Sequence, residues 1–468
     1  MIAFALHLVL ALIFSPNPGL ASDSQVTILT GATLIDGTGA RARPDTTVVI
    51  RGDRIVSVGS GGSAKTAKHR YPAARFIDLS GMFLMPGFID MHAHVTILPE
   101  GPGGMLEHEA DRPASELVLK RLLATGITTV RNPAGPAVDA VALRDSVAAG
   151  RIPGPRIFTA GESLNAGSGP ISGPGMRVQD EAAVRTEIER QAGLGVDYIK
   201  LYASLPPALV RAAIDEAHAR GLKVIGHLQE TTWTQAASDG IDFITHGAPW
   251  SAEYLPEGRR AEYREVEASL RGRIRWLEWV DINGPDIRLM VRTLARHRIP
   301  VDPTLVAYHT KFWGDDARYL QSPDLYFVPD LILRQWRPGS LNWSESEFRR
   351  ARLMWPKVQQ LVRLYYDEGV PLLAGSDTPN PWVVPGAGFH RELELLVEAG
   401  IPPLDVITIA TANGAKALGI AGDTGTVKAG HRADLVVLTA DPLLSIRNTR
   451  AIAWVMKGGA IHRPEELR

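Results

Sequence analysis

Cysteine is absent from this chain of 468 residues. Its absence excludes disulfide bonds, thiolate metal sites and a cysteine nucleophile, and it is compatible with either a reducing or an oxidising compartment. A surplus of charge is also missing, because 50 basic side chains are balanced by 51 acidic ones. This balance does not indicate a nucleic-acid partner.

Long apolar runs are absent after the N-terminal segment, so we expect no membrane span in the mature chain. In that segment, residues 2–14 are almost wholly apolar, and the small residues Gly19-Leu20-Ala21 follow. This order predicts a secretory signal peptide over residues 1–21, cleaved after Ala21, and hence a periplasmic or secreted protein. Because the start of the segment has no Lys or Arg, an uncleaved anchor or a frayed N-terminus stays open as the alternative.

Both ends of the chain have the sequence pattern of β-strands. Short apolar runs separated by turn residues extend from residue 26 to about residue 80, and the same pattern returns after residue 424. The length of the chain favours one large domain and a smaller one. Since neither end has enough strands for a stable sheet alone, we expect one composite β-sandwich domain built from residues 22–83 and 424–468.

Strand and helix patterns alternate through the middle of the chain. Helical stretches such as 181–192 and 207–219 separate most of the strand candidates. Eight such units predict an α/β protein with a (β/α)₈ TIM-like barrel over residues 84–423. The eight strand candidates are 88–94, 127–132, 156–161, 197–202, 223–228, 243–247, 299–305 and 371–377.

Two features interrupt the predicted barrel. The loop 164–175 is rich in Gly, Pro and Ser, which is typical of an active-site loop and equally of a flexible connection. The stretch from Trp250 to Trp382 contains eight of the ten tryptophans. We interpret these rings as packing long insertions onto the barrel, with an aromatic wall or lid over a substrate as the alternative.

Ligand-type side chains recur where the predicted strands end. His92 and His94 are two positions apart on the first strand, so their imidazoles share one face. On the fourth strand, Lys200 shares its face with Tyr198 and Tyr202, which places a cation in the predicted lumen. Burial of a lysine is costly unless its charge is paired or removed, so either a structural salt bridge or a function explains it.

Three more residues belong to this pattern. His227 and His246 end the fifth and sixth strands, and each alone would be interpreted as a hydrogen-bonded core or surface histidine. Asp377 ends the eighth strand, and alone it fits an N-cap or a turn. Their joint position at one end of the barrel indicates a metal site, since imidazoles and carboxylates are preferred ligands of zinc and similar ions.

Longer motifs accompany these residues. They are Met85-Pro-Gly-Phe-Ile-Asp-Met-His-Ala-His94, Tyr198-Ile-Lys-Leu-Tyr202, Gly375-Ser-Asp-Thr378 and Gly425-Thr-Val-Lys-Ala-Gly-His-Arg-Ala-Asp-Leu435. Together with the two single histidines, they resemble the amidohydrolase superfamily, in particular its imidazolonepropionase-related, prolidase-like branch. The resemblance covers nearly all of the chain after the signal segment.

The resemblance implies a binuclear metal centre, which we expect to hold two zinc ions. The implied ligands are His92, His94 and Asp377 for the more buried ion, His227 and His246 for the second ion, and a carboxylated Lys200 that bridges both. A lysine at this place on the fourth strand further implies hydrolysis of an amide-like or ester-like bond.

The resemblance also implies a mechanism. A hydroxide that bridges the two ions attacks the substrate carbonyl, Asp377 transfers a proton to the leaving group, and His246 or Tyr202 holds the carbonyl oxygen. We expect a small-molecule substrate with a C–N amide or peptide bond, as in a dipeptide or an N-acyl amino acid. A lactone, carbamate or phosphotriester at the same site is the alternative, a non-catalytic binding protein on this fold is the second, and a homo-oligomer stays open.

Three further residues have two open interpretations each. Tyr308 and His309 follow the seventh strand, where they either reach the substrate or pack in the core. Arg131 fits a structural ion pair better than a contact with a substrate carboxylate.

Overall fold

The computed structural model describes residues 26–100, 107–167, 175–267, 269–336 and 342–467. The predicted signal peptide lies outside these residues, and so does most of the predicted glycine-rich loop. Among the helices of the described ranges, none combines the length and the apolar composition that a bilayer span needs.

The elements alternate between strand and helix through the middle of the chain. The strands are β1 (Val26–Leu34), β2 (Arg43–Arg51), β3 (Arg54–Ser60), β4 (Arg75–Asp78), β5 (Phe83–Pro86), β6 (Phe88–Asp90), β7 (Ile127–Asn132), β8 (Arg156–Thr159), β9 (Ser163–Asn165), β10 (Gly175–Arg177), β11 (Tyr198–Leu201), β12 (Lys223–Gly226), β13 (Phe243–Thr245), β14 (Val301–Asp302), β15 (Leu435–Leu438), β16 (Ile452–Lys457) and β17 (Ala460–His462). The helices are α1 (Ser63–Arg70), α2 (Arg112–Ala124), α3 (Ala137–Ala148), α4 (Glu181–Leu194), α5 (Pro207–Ala219), α6 (Trp233–Ser238), α7 (Glu257–Arg264), α8 (Leu270–Trp279), α9 (Pro285–His297), α10 (Leu305–Phe312), α11 (Ala317–Leu320), α12 (Asp330–Gln335), α13 (Glu345–Asp367), α14 (Ala387–Glu398), α15 (Pro403–Thr408) and α16 (Gly414–Leu418).

One sheet joins both ends of the chain. Its strands run in the order β17, β16, β15, β5, β1, β2, β3, and β4 also pairs with β1. The junction is β15, where Leu435 pairs with Pro86 of β5 on one side and with Met456 of β16 on the other. Every residue of β15 is buried, so this strand binds the two ends together. The boundaries of the composite domain and its sandwich architecture stay predictions.

Two parallel sheets occupy the middle of the chain. The first contains β6, β7 and β8, and the second has the order β10, β9, β11, β12, β13, β14. An isolated parallel bridge from Ala160 to Tyr198 connects the two. All residues of β7, β11 and β13 are buried, as expected for parallel strands that helices cover. The α/β class is confirmed, and the arrangement is consistent with the predicted barrel.

The last predicted barrel strand differs from the prediction. Residues 371–377 form no regular strand, although Leu372 bridges in parallel to β14. A few residues later, the His94 amide donates to the Thr378 carbonyl at 2.8 Å. The segment therefore contacts β14 on one side and the continuation of β6 on the other. A left-handed backbone at Asp377, with φ of +57°, interrupts a regular ladder there.

The seventh predicted strand is much shorter than expected. Only Val301 and Asp302 form β14, whereas the prediction extended over 299–305. Pro300 and Pro303 flank this pair, and a proline cannot donate to a strand ladder. The helix prediction 207–219 matches α5 in both bounds. The prediction 181–192 gives the start of α4, where the Asp180 side chain accepts from the Ala183 amide at 2.8 Å, and falls two residues short of its end.

The tryptophans of the long insertion pack in its interior. Trp250 and Trp276 are almost completely buried, and their rings meet edge to face at 5.4 Å. The Trp276 indole donates to the Ser251 carbonyl at 2.8 Å. For these two rings the packing interpretation is confirmed.

Candidate metal centre

All six predicted metal ligands line one cavity of about 440 Å³ at the carboxyl ends of the parallel strands. Tyr202 lines the same cavity, and its ring lies 4.5 Å from the ring of His227. The ligand candidates are His92, His94, Lys200, His227, His246 and Asp377. The structure thus brings together residues that are far apart in the sequence.

Three of these residues form a compact donor group. The Nε2 atoms of His92 and His94 each lie 3.3 Å from Oδ1 of Asp377. The three donor atoms lie within 4.8 Å of one another. Two donors bound to one tetrahedral zinc ion at about 2.1 Å are roughly 3.4 Å apart. The spacing therefore fits a shared divalent ion.

His227 and His246 form a second pair of donors. Nδ1 of His227 lies 3.0 Å from Nε2 of His246, and the ring centroids are 4.2 Å apart. Burial, together with the nearby cations and the neighbouring imidazoles, lowers the pKa of both histidines well below the usual range. Both rings are therefore neutral at neutral pH, which is the form that binds a metal ion.

The Asp377 carboxylate is the common partner of both groups. Its second oxygen, Oδ2, lies 4.0 Å from Nδ1 of His246. Burial opposes ionisation of this carboxyl group, but the neighbouring histidines, led by His92, hold its pKa well below the usual range. The group is ionised, and it can accept a proton or bind a cation.

A buried carboxylate behind the cavity orients His92. Oδ1 of Asp302 lies 2.7 Å from Nδ1 of His92, which leaves Nε2 of that ring directed at the cavity. Arg131 donates from Nη2 to the other carboxylate oxygen of Asp302 at 2.6 Å and from Nε to the Met91 carbonyl at 2.7 Å. Such carboxylate–histidine contacts fix the tautomer and orientation of a metal ligand.

Left-handed backbone conformations direct two of the candidate ligands. His246 has φ of +78° and Asp377 has φ of +57°. Residues other than glycine and asparagine rarely adopt this region, and such strain concentrates at functional sites. Thr304, also left-handed at +46°, places its hydroxyl 2.8 Å from Nδ1 of His246. The tertiary structure therefore holds this imidazole in position.

Lys200 is buried beside these donors. Burial is the main reason that its pKa is lowered to about 7, and Arg131 lowers it further, while Asp302 and Asp377 oppose the shift. Its Nζ donates to the Thr245 hydroxyl at 3.3 Å and forms no ion pair with a carboxylate of the described residues. The salt-bridge explanation for this lysine is therefore wrong within that part of the chain.

Hydrogen bonds to Asp90 connect β6, the first strand of the predicted barrel, to the segment 371–377. Asp90 accepts hydrogen bonds from the amides of His92 and Ser376, both at 3.0 Å, and from the Ser376 hydroxyl at 2.6 Å. Burial raises the pKa of Asp90 to about 6 despite these bonds. The contact fixes the two segments that supply His92 and Asp377.

The three remaining candidates, Tyr308, His309 and Arg131, differ in their position relative to the cavity. Tyr308 lines the cavity, and its ring centroid lies 5.9 Å from that of His246. His309 does not line it and instead stacks on Trp313 at 4.0 Å. Arg131 is fully buried in its pair with Asp302, so the alternative of a contact with a substrate carboxylate is wrong.

Sequence reasoning missed several residues of the site. Asp302 escaped notice, although a carboxylate within an apolar strand is the same kind of signal that identified Lys200. Arg273 and Lys311 also line the cavity, and they lie on helices of the insertion. No strand-end pattern marks such positions, so only the tertiary structure reveals them.

A sequence profile described as the amidohydrolase family matches residues 83–311 and 326–462. The matched ranges contain every cavity residue discussed above. They make up well over half of the chain, and they include both the candidate metal ligands and the strands near the C-terminus.

Similar proteins include two sequence relatives and one solved structure. An uncharacterized protein of Mycobacterium tuberculosis is 27% identical over 184 residues, and the match spans 36% of this chain and only 45% of that relative's length. The dihydroorotase of Geobacter metallireducens is 23% identical over 417 residues, or 82% of this chain and 86% of the relative. A crystal structure of an Xaa-Pro dipeptidase with bound methionine superposes with a TM-score of 0.68 at 20% identity, covering 94% of this chain and 100% of that one, and it shows a shared fold.

Proposed function

Because this chain belongs to the amidohydrolase family, we propose that it is a metal-dependent hydrolase of a C–N bond in a dipeptide or an N-acyl amino acid. The observation that carries the proposal is the convergence of the six ligand candidates on one cavity. The structural similarity to a dipeptidase supports this choice of substrate class.

Two divalent ions, proposed to be zinc, fit the donor set. His92, His94 and Asp377 would hold one ion, and His227 and His246 the other. When bound, such ions lower the pKa of a water molecule toward neutrality and polarise a substrate carbonyl.

A carboxylated Lys200 is the proposed bridge between the two groups of ligands. With a pKa of about 7, its amine has a substantial neutral fraction at neutral pH. A neutral amine can add to carbon dioxide, forming a nitrogen–carbon bond and releasing one proton. The product is an anionic carbamate, which removes the cost of a buried cation and supplies two oxygen ligands.

Asp377 is the proposed proton carrier. Its ionised carboxylate faces the cavity and can take a proton from the attacking water. The same group then delivers the proton to the leaving nitrogen. His246 or the hydroxyl of Tyr202 is proposed to hold the carbonyl oxygen of the substrate, and both residues line the cavity.

The parallel sheets are proposed to form a closed (β/α)₈ barrel beside a small β-sandwich. Contacts of residues 371–378 with both β14 and the continuation of β6 support closure. Placement of the cavity at the carboxyl ends of the strands also supports it, since active sites of this fold lie there.

A substrate screen tests the proposal. Zinc-loaded protein in bicarbonate buffer should hydrolyse members of a panel of dipeptides and N-acetyl amino acids, with release of the amine measured directly. Hydrolysis confined to lactones, carbamates or phosphotriesters would favour the alternative substrates of the same site. Turnover of no member, combined with protein that retains no metal after purification, would contradict a hydrolytic role.

Export is a separate proposal. Residues 1–21 are proposed to direct the chain to the periplasm or the exterior, on the strength of their apolar run and the small residues that follow. N-terminal sequencing of the exported protein should give Ser22 as the first residue, and an intact Met1 would exclude cleavage.

A further inference from the structure

Two cationic side chains share one wall of the cavity. Arg273 on α8 and Lys311 on α10 both line it and are half-buried. The Arg273 guanidinium carbon lies 5.6 Å from the ring centres of both Trp250 and Tyr308. Nζ of Lys311 lies 5.8 Å from the ring centre of Tyr308. The two charges therefore flank the same tyrosine.

Neither cation has an anionic partner within the described residues. Lys311 donates to Oδ1 of Asn380 at 3.1 Å, and the Arg273 guanidinium has no ion pair there. Two other arginines of α8 behave differently, because Arg271 pairs with Glu347 and Arg275 pairs with a glutamate one turn further along the helix. Of these three arginines, Arg273 is the one that lines the cavity and the one without a carboxylate partner among the described residues.

The cavity itself offers little negative charge. Among its described lining residues, Asp377 is the one carboxylate, and it already contacts His92 and His94. Burial and the nearby Arg273 lower the pKa of Lys311 to about 8, although Asp377 opposes this shift. An anion placed between the two cations would relieve their repulsion.

The cation pair lies close to the candidate metal centre. The ring centroid of Tyr308 lies 5.9 Å from that of His246, on which the candidate metal centre depends. A cavity of about 440 Å³ is within the usual range for small-molecule sites. One small substrate can therefore contact Arg273 and Lys311 with an anionic group while its scissile bond lies at the candidate metal centre.

We propose that Arg273 and Lys311 form a subsite for a carboxylate of the substrate, next to the C–N bond that is cleaved. The inference rests on the proposed function and makes it more specific. Dipeptides and N-acyl amino acids carry this carboxylate on the leaving amino acid, whereas lactones and phosphotriesters carry no such charge. The subsite thus favours the first group.

Matched acids and amides test the subsite. Wild-type protein should hydrolyse the dipeptides and N-acetyl amino acids of the panel with kcat/KM about tenfold to a hundredfold above that of their C-terminal amides. Arg273→Met and Lys311→Met should each reduce this preference by about tenfold or more, chiefly by slowing the acids. Arg275→Met, on the same helix but outside the cavity, should keep the wild-type preference.

Calorimetry separates failure of the subsite from failure of the proposed function. If wild type hydrolyses no member of the panel, the proposed function fails, yet tighter binding of the acids than of the amides, lost in Arg273→Met, still establishes the subsite. If wild type hydrolyses acids and amides equally, the hydrolase proposal stands and the subsite is overturned. Equal binding of acids and amides, or binding of neither, overturns it as well.

Discussion

At the scale of the residue, the side chains that support the candidate metal centre are as informative as the candidate ligands themselves. Asp302 contacts His92 with one oxygen and Arg131 with the other, and all three are almost completely buried. The carboxylate thus orients an imidazole and neutralises a guanidinium at once. Its replacement should affect both metal binding and folding.

Asp302→Asn is expected to weaken zinc binding by about 10–100-fold, because a neutral amide oxygen replaces the charged carboxylate acceptor that fixes the His92 ring. It should also destabilise the fold by about 3–5 kcal/mol, since the Arg131 charge stays buried without a partner. Competition with a chelating dye measures the first effect and thermal unfolding the second. The control is Asp242→Asn, whose carboxylate contacts His218 and the Val224 amide and does not line the cavity. Unchanged zinc affinity in Asp302→Asn would contradict the orienting role.

Lys200→Ala tests the proposed bridge directly. The variant should lose most bound metal and lower kcat by at least about a hundredfold, while the circular dichroism spectrum stays that of the folded protein. Metal content is measured by mass spectrometry after gel filtration. Lys223→Ala, at the opposite end of the neighbouring strand β12, should leave both properties unchanged. Wild-type metal content and turnover in Lys200→Ala would rule out the bridge.

At the scale of the element, Glu392 connects α14 to the first turn of α10. Its Oε2 accepts from the Val306 amide at 2.7 Å, and its other oxygen is buried without a partner among the described residues. Burial, with smaller effects from Asp90 and Asp302, raises the pKa of Glu392 from 4.5 to about 8. The folded protein therefore holds a proton on this group that the unfolded chain releases at neutral pH.

The contribution of Glu392 to the stability of the fold should consequently decrease as pH rises from about 5 to about 8. In that window the native state binds more protons than the unfolded state, so the Glu392 contribution falls by up to about 1.4 kcal/mol per pH unit. Glu392→Gln is always neutral and should lose less stability over the same range. The Tm of the variant minus the Tm of the wild type, measured at pH 5.5, 7 and 8, should increase with pH. A constant difference would show that Glu392 is ionised in the fold.

Elements also show what could be predicted from the sequence. Strand predictions succeeded where apolar runs are uninterrupted, as at 127–132, which matches β7 in both bounds. They failed where tertiary contacts replace a regular ladder, as at 371–377, or where prolines shorten a strand, as in β14. The six ligand candidates could be predicted because each lies at or near the end of a strand predicted from the sequence. The position of Arg273 in the cavity could not be predicted, because tertiary packing places its helix and no local sequence pattern encodes that packing.

At the scale of the whole molecule, bound metal and global stability should be coupled. The ligand candidates come from the ends of several separate strands, so an ion that binds only the folded state stabilises all of them together. Free zinc at 1,000 times the dissociation constant should add about 4 kcal/mol. Dialysis against a chelator should therefore lower Tm, and zinc should restore it in wild type but less so in Asp302→Asn. Equal Tm values with and without chelator would show that no ion is bound in the native state.

The placement of β15 between β5 and β16 has a consequence for biosynthesis. Pro86 cannot pair with Leu435 until nearly the whole polypeptide has left the ribosome. At about 5–20 residues per second, that delay lasts for tens of seconds. During this time the apolar edge of β5 needs a chaperone or remains exposed, and a nascent chain that stops early cannot complete its native topology.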